Sequence, residues 1–170
     1  MHRLSMLERR WGIGLYADYK TRNELRVGIY VRKSRADIEQ EKKALERGEE
    51  YDTLKRHRSE LLRFAKKEGY HIVEIFEEIV SSESILARVE AQKLLELVKN
   101  GEIDAVVTID YDRFVGRGNK SDQGYIENLL ADNDILIITP HEVIDLNTEE
   151  GQFTADTKGF ISRMEFRVIK

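Results

Sequence analysis

The sequence predicts an α/β domain in which a mainly parallel central sheet is flanked by helices and a long last helix is cut off by the end of the chain. Three observations carry that prediction. Short apolar runs at residues 27–31, 103–109 and 135–139 suit buried strands. Between them lie segments of helical period, with Leu54, Leu61, Leu62 and Ala65 on one face, then Val89, Leu94, Leu95 and Val98, then Ile126, Leu129 and Leu130. Gly69, Gly101 and Pro140 stand where those elements must stop. Alternating strands and helices favour parallel pairing.

Taken in order, residues 1–25 hold no sustained period and read as an appendage, although Leu4, Leu7 and Trp11 stand at helical spacing before Gly12 and Gly14 interrupt it. Residues 25–31 alternate, with Val27, Ile29 and Val31 on one face, and predict the first core strand, ending at Arg32. Residues 37–50 are mostly charged, with only Ala44 and Leu45 as apolar anchors, which leaves a solvated helix and a loop both open. The helix ending at Gly69 hands over to a strand at 71–79. Asn147 with Glu150 three residues on has the spacing of a capping box opening the last helix. Its apolar positions are Phe153, Phe160, Ile161, Met164 and Val168. The expected division is 1–25 appendage, 26–148 α/β domain and 149–170 the start of a long oligomerisation or linker helix. A chain stopping inside that helix reads as an excised domain.

Composition narrows the chemistry. The 170 residues, 41% hydrophobic and 35% charged, suit one domain with a real core, and no apolar run suggests a membrane span or signal peptide. The expectation is a cytoplasmic protein with no membrane partner. Without cysteine there is no thiolate ligand or Cys nucleophile, and four His residues fall at no metal-ligand spacing. No cofactor is expected. The 28 basic and 32 acidic side chains give a net charge of −4, so attraction to nucleic acid must come from a local basic cluster or from sequence outside this chain.

In open parallel sheets, ligands sit beyond the carboxyl ends of the strands. Those ends carry Arg32-Lys33-Ser34-Arg35, then 81–88 with Arg88, then 110–117 with Asp112, Arg113 and Arg117. A serine hydroxyl is a poor nucleophile unless a base takes its proton or cations stabilise the developing charge. Clustered guanidiniums suit a phosphodiester, whose oxygens accept paired, charge-assisted hydrogen bonds, so the pattern reads as phosphoryl transfer. Asp112 stands where it can orient Arg113 or trade a proton. Each residue also has a plainer reading: Ser34 as a turn or helix cap, Asp112 with Arg113 as a surface ion pair, Arg35 facing water.

The blocks Tyr30-Val31-Arg32-Lys33-Ser34, Leu61-Leu62-Arg63-Phe64-Ala65 before Gly69, Glu78-Ile79-Val80-Ser81-Ser82 with Arg88, and Ile103-Asp104-Ala105-Val106-Val107 with Asp112-Arg113 closely resemble the catalytic domain of serine site-specific recombinases over about residues 26–169. The long segment between Ser34 and the Leu54 helix is most like the large serine integrase or transposon branch. The resemblance implies a resolvase-like fold. It also implies an enzyme that cleaves and rejoins double-stranded DNA through a 5′-phosphoserine link, without ATP or metal, as a dimer on one site and a tetramer in synapsis. Ser34 would be the nucleophile, Arg32, Arg88 and Arg113 the phosphate-binding arginines, and Asp112 the supporting carboxylate. Most DNA contacts would belong to a missing C-terminal region, and the location would be cytoplasmic, at the nucleoid of a bacterium or phage host. The chain departs from the family at four places: the loop carrying Arg117 is one residue longer, His57 stands where many relatives have Gln, Ser81-Ser82 stands where Ser-Gly often follows the second strand, and Phe166 replaces a basic residue beside Glu165. Glu165 is carried over as an assembly or support residue. Two other readings remain: a non-catalytic oligomerisation module of this family, and an unrelated doubly wound phosphate-binding domain.

Overall fold

The structure is a computed structural model, and it describes residues 25–79, 84–116 and 120–169. The appendage expected at 1–25 lies outside the described residues, apart from Leu25. Strand β1, Arg26–Lys33, is followed by helices α1, Arg35–Glu46, and α2, Thr53–Glu68, and by strand β2, His71–Ile79. A 3-10 turn at Ile85–Ala87 leads into α3, Val89–Lys99, and β3, Ala105–Val107. Then come α4, Tyr111–Val115, and α5, Lys120–Asp132. The chain closes with β4, Leu136–Ile138, β5, Val143–Ile144, and α6, Glu149–Ile169.

The sheet order is β2-β1-β3-β4-β5, parallel except for β5, which runs antiparallel to β4. The predicted α/β architecture is therefore the observed one. Because β2 and β3 flank β1 on opposite sides, right-handed crossovers send their helices to opposite faces. One core holds Val27, Ile29 and Val31 of β1 with Leu61 and Ala65 of α2. The other gathers Tyr30, Phe76 and Val106 with Leu94 and Val98 of α3 and Ile126 and Leu130 of α5. Burying a leucine such as Leu61 contributes about 2 kcal/mol.

The register sets the site. β1 pairs with β2 over its whole length, from Arg26 opposite His71 to Lys33 opposite Ile79, but with β3 only over Val27 to Ile29. The last turn of β1 therefore runs past the end of β3, and α4 occupies the space beside it. This lies where the connections leave β1 in opposite directions, which is where open sheets present a crevice.

Several local expectations change. The charged stretch at 37–50 forms α1 as far as Glu46, since Ser34 caps it and Ala44 anchors it. The apolar runs at 103–109 and 135–139 contribute only three strand residues each. The last helix is capped by Thr148, whose hydroxyl accepts the Gly151 N–H at 2.9 Å. Asn147 instead donates to Ala131 O and Asp134 Oδ1, so the expected capping box from Asn147 does not form. A Cβ at Gly151 would stand 1.8 Å from Asp145 O, so the opening of α6 needs glycine there. That helix lays Gly151, Ala155, Gly159 and Ser162 against the domain and leaves Phe153, Phe160, Ile161, Met164 and Val168 exposed. The apolar positions read from its period belong to the outward face.

Candidate active site

Ser34 is the residue between β1 and α1, extended at φ −88° and ψ 169°, and it is the N-cap of α1. Its Oγ accepts the Asp37 N–H at 3.2 Å, and its own N–H donates to Asp37 Oδ2 at 2.7 Å. The same hydroxyl donates its proton to Asp37 Oδ2, also at 2.7 Å. The local spacing, Ser followed three residues later by Asp, dictates this reciprocal cap. A hydroxyl with its proton on a carboxylate and one lone pair on an N–H keeps one lone pair to offer elsewhere.

Asp37 is buried and also holds Arg113, brought by α4 from 76 residues away. Arg113 Nη1 donates to Asp37 Oδ2 and Nη2 to Oδ1 at 3.3 Å, a two-pronged pairing, while Nη1 donates to the Arg32 carbonyl at 3.2 Å. Burial pushes the Asp37 carboxyl up, but the hydrogen bonds from Arg113 and Ser34 outweigh it and bring the pKa down to about 2. Arg113 loses by burial and gains more from Asp37, so its charge is secured. From α2, buried His57 faces the same group: burial and the charges of Arg113 and Arg56 lower its pKa against the opposing pull of Asp37. It is therefore neutral at pH 7.

The other two arginines are interior. Arg32 is 2% exposed, and it donates from Nε to Arg113 O at 3.0 Å and from Nη2 to Asp112 O at 3.2 Å. Arg88 is fully buried, and it donates to the Tyr30 hydroxyl from Nε at 3.2 Å and Nη2 at 3.1 Å, and to the Phe114 carbonyl. Two guanidiniums thus grip three successive carbonyls of α4, which fixes that helix, and with it Arg113, against β1. Opposite Arg32 in the strand register is Glu78, buried, with Oε2 accepting the Glu90 N–H at 2.7 Å. Burial raises the Glu78 pKa despite the N–H bonds of α3 and the charge of Arg88. It stands at the opening of α3, where a carboxylate is favoured.

Of the residues singled out in the sequence, Ser34, Arg32, Arg88, Asp112 and Arg113 meet at this end of the sheet. Arg113 is the one that shares a partner with Ser34. Asp112 contributes its carbonyl to Arg32 and its charge to Arg113, and its side chain is half-buried. Arg35 is exposed. Glu165 lies exposed on α6, outside this network, and Arg117, Ser81 and Ser82 lie outside the described residues. Asp37, Glu78 and Tyr30 were not anticipated. The Ser-x-x-Asp spacing alone signals Asp37, although it signals a cap rather than an active-site group. Among the described residues no three His, Asp or Glu side chains are placed to hold a metal ion, and no helix is long and apolar enough to cross a membrane.

A family model described as the N-terminal domain of resolvase matches residues 27–170. Among solved structures, the C-terminal catalytic domain of ISC1926 TnpA, an IS607-like serine recombinase, is 27% identical with a TM-score of 0.51, over 68% of this chain and 69% of that one. The N-terminal catalytic domain of TP901-1 integrase is 20% identical with a TM-score of 0.58, over 84% of this chain and 98% of that one. A resolvase family site-specific recombinase from Streptococcus pneumoniae is 22% identical with a TM-score of 0.56, over 85% and 92%. The last two speak to the fold. These neighbours include an IS607-like serine recombinase and an integrase and single out no branch of the superfamily.

Proposed function

Because the chain belongs to the resolvase family through its N-terminal domain, we propose that it is the catalytic domain of a DNA site-specific recombinase that cuts and rejoins double-stranded DNA through a covalent 5′-phosphoserine link. The observation that carries this reading is the sharing of one buried carboxylate, Asp37, by the Ser34 hydroxyl and the Arg113 guanidinium at the carboxyl end of β1. Ser34 attacks phosphorus with its remaining lone pair. Arg113 supplies a fork to the non-bridging oxygens, where charge gathers in the transition state. Arg32 and Arg88 hold α4 and lend positive potential, and reach the phosphate only after releasing the α4 carbonyls. Asp112 supports Arg113. Arg117 and Glu165 keep the parts the family assigns, phosphate contact and assembly support. The phosphoserine link conserves the energy of the phosphodiester, so rejoining needs neither ATP nor metal.

The finer assignments belong to the same proposal. Residues 26–148 form the catalytic unit, and α6 with its exposed Phe153, Phe160, Ile161, Met164 and Val168 supplies the surface for a dimer on one site and a tetramer in synapsis. We read the long Ser34 to Leu54 segment as favouring the large serine integrase or transposon branch, and propose DNA recognition by a region following α6 and a cytoplasmic, nucleoid-associated location.

The deciding experiment incubates the full-length protein with a pool of duplexes of randomised sequence and recovers the DNA that becomes covalently attached. Wild type yields a serine-linked adduct and Ser34→Ala none. Attachment surviving Ser34→Ala would sink the nucleophile assignment, and no attachment by wild type would favour a non-catalytic oligomerisation module. Arg32→Lys, Arg88→Lys or Arg113→Lys lowers adduct formation sharply, because an ammonium cannot reproduce the planar fork.

A further inference from the structure

We propose that Asp37 is the proton acceptor for Ser34, and that movement of Arg113 from Asp37 to the DNA phosphate is what readies it. The proposal rests on the phosphoserine reading and adds a catalytic residue and an order of events. In the free chain the Asp37 Oδ2 atom takes the Ser34 hydroxyl proton at 2.7 Å and an Arg113 N–H together. It also accepts the Ser34 backbone N–H at 2.7 Å, so the carboxylate is fixed in direction as well as in distance.

Two other carboxylates of this end are differently employed, and Asp112 acts on Arg113 through its charge. Glu78 accepts the Glu90 N–H at the opening of α3, and Glu41 is bonded to Lys33 at 2.7 Å and to the Thr53 N–H at 2.8 Å. The groups facing Asp37 are Ser34 from its own turn, Arg113 from α4 and His57 from α2. Burial is the largest influence on the Asp37 carboxyl and drives it toward holding a proton, and the Arg113 bonds are what oppose this most. Transfer of the Arg113 fork to a phosphate therefore does two things at once: it delivers the cation to the reacting group and leaves behind a carboxylate of greater basicity. Without DNA the same pairing keeps both the base and the clamp idle.

In the step itself the Ser34 O–H bond breaks and its proton passes to Asp37 Oδ2 while the Oγ–P bond forms. The bond from phosphorus to the 3′ oxygen breaks, its electron pair staying on that oxygen. The 3′ oxygen draws a proton from solvent, and Asp37 later returns one to solvent, so no proton is gained or lost overall.

The test uses the full-length protein and a duplex recovered from the randomised pool. Asp37→Asn keeps the size of the side chain and an acceptor for the cap, and is expected to slow adduct formation by about 100-fold while the protein stays folded by circular dichroism. A duplex with sulfur in place of the 3′ bridging oxygen, whose departure needs no proton, is expected not to rescue it. Independently of any cleavage, carboxyl NMR on Arg113→Gln is expected to find Asp37 raised from about 2 to about 4 or above. Adduct formation by Asp37→Asn within about threefold of wild type, rescue by the sulfur duplex, or an Asp37 carboxyl unmoved in Arg113→Gln each overturns the proposal. If Asp37→Asn does not fold, the NMR result on Arg113→Gln decides alone. Attachment by Ser34→Ala overturns instead the phosphoserine reading, so the two failures are told apart.

Discussion

Two arginine–aspartate pairs stand near the two ends of β1, and they are built alike for different ends. At the amino end Arg26 donates from Nε to Asp104 Oδ2 at 3.2 Å and from Nη2 to Oδ1 at 3.3 Å, and the same carboxylate accepts the Arg26 backbone N–H at 2.9 Å. Arg26 Nη2 also reaches the Gly101 carbonyl at 2.9 Å. This is a clasp that ties β1 to the turn before β3. At the carboxyl end Arg113 makes the same fork to Asp37, but that carboxylate also carries a serine hydroxyl with a lone pair to spare, at the point where β1 outruns β3. An ion pair says little about function by itself. What distinguishes the second is the third group on the carboxylate and the position of the pair in the strand order.

The largest effect should come from emptying the carboxyl end of its interior cation. Arg88→Ala leaves the Tyr30 hydroxyl and the Phe114 carbonyl without their Arg88 partner inside the domain, and is expected to cost about 3 kcal/mol of unfolding free energy measured by urea titration. A loss below about 1 kcal/mol would mean that the grip on α4 is not what holds this end together.

Acid should separate the two ends next. The Asp37 carboxyl falls from 3.8 to about 2 on folding, so its contribution of about 2 kcal/mol is fully present above the unfolded value and is lost as pH falls through about 2. The carboxyls of buried Glu78 and half-buried Glu127 are raised on folding, so protonating them works the other way. Urea midpoints from pH 5 to pH 2 should fall more steeply for wild type than for Asp37→Asn. Equal slopes would remove Asp37 from the acid response.

Smaller again is Arg26→Ala, expected to cost about 1 kcal/mol because the clasp is partly in water, with adduct formation unchanged. A slower adduct would show that the amino end is coupled to the chemistry. Least of all, Lys99→Ala, which breaks the exposed pair with Glu96, should leave the midpoint where it was.

The fold was legible wherever a period lasted long enough to be read. β2 was read at its observed bounds, and α2 closes on Gly69 in the left-handed conformation at φ 75°. The two-residue β5 and the five-residue α4 escaped, since neither spans a full repeat of its own pattern. In α6 the period was read, but the face that meets the domain was not legible, because small residues let the helix approach the domain while its large side chains point outward. Ser34, Arg32, Arg88 and Arg113 were assembled from the rule that strand ends carry chemistry. Asp37 was hidden in a run of charge that resembled any solvated helix.

The order of strands and helices, and the end of the sheet to which Ser34 and the arginines come, follow from the sequence alone, because hydrophobic period and glycine placement act over a few neighbouring residues. Which carboxylate Arg113 meets, and that Arg32 and Arg88 spend their forks on α4 rather than on water, was decided only by the tertiary structure. Those partners are far apart in the chain, and they meet because β3 ends opposite Ile29, four residues short of the end of β1, and α4 fills the gap, a matter of register that no local preference encodes.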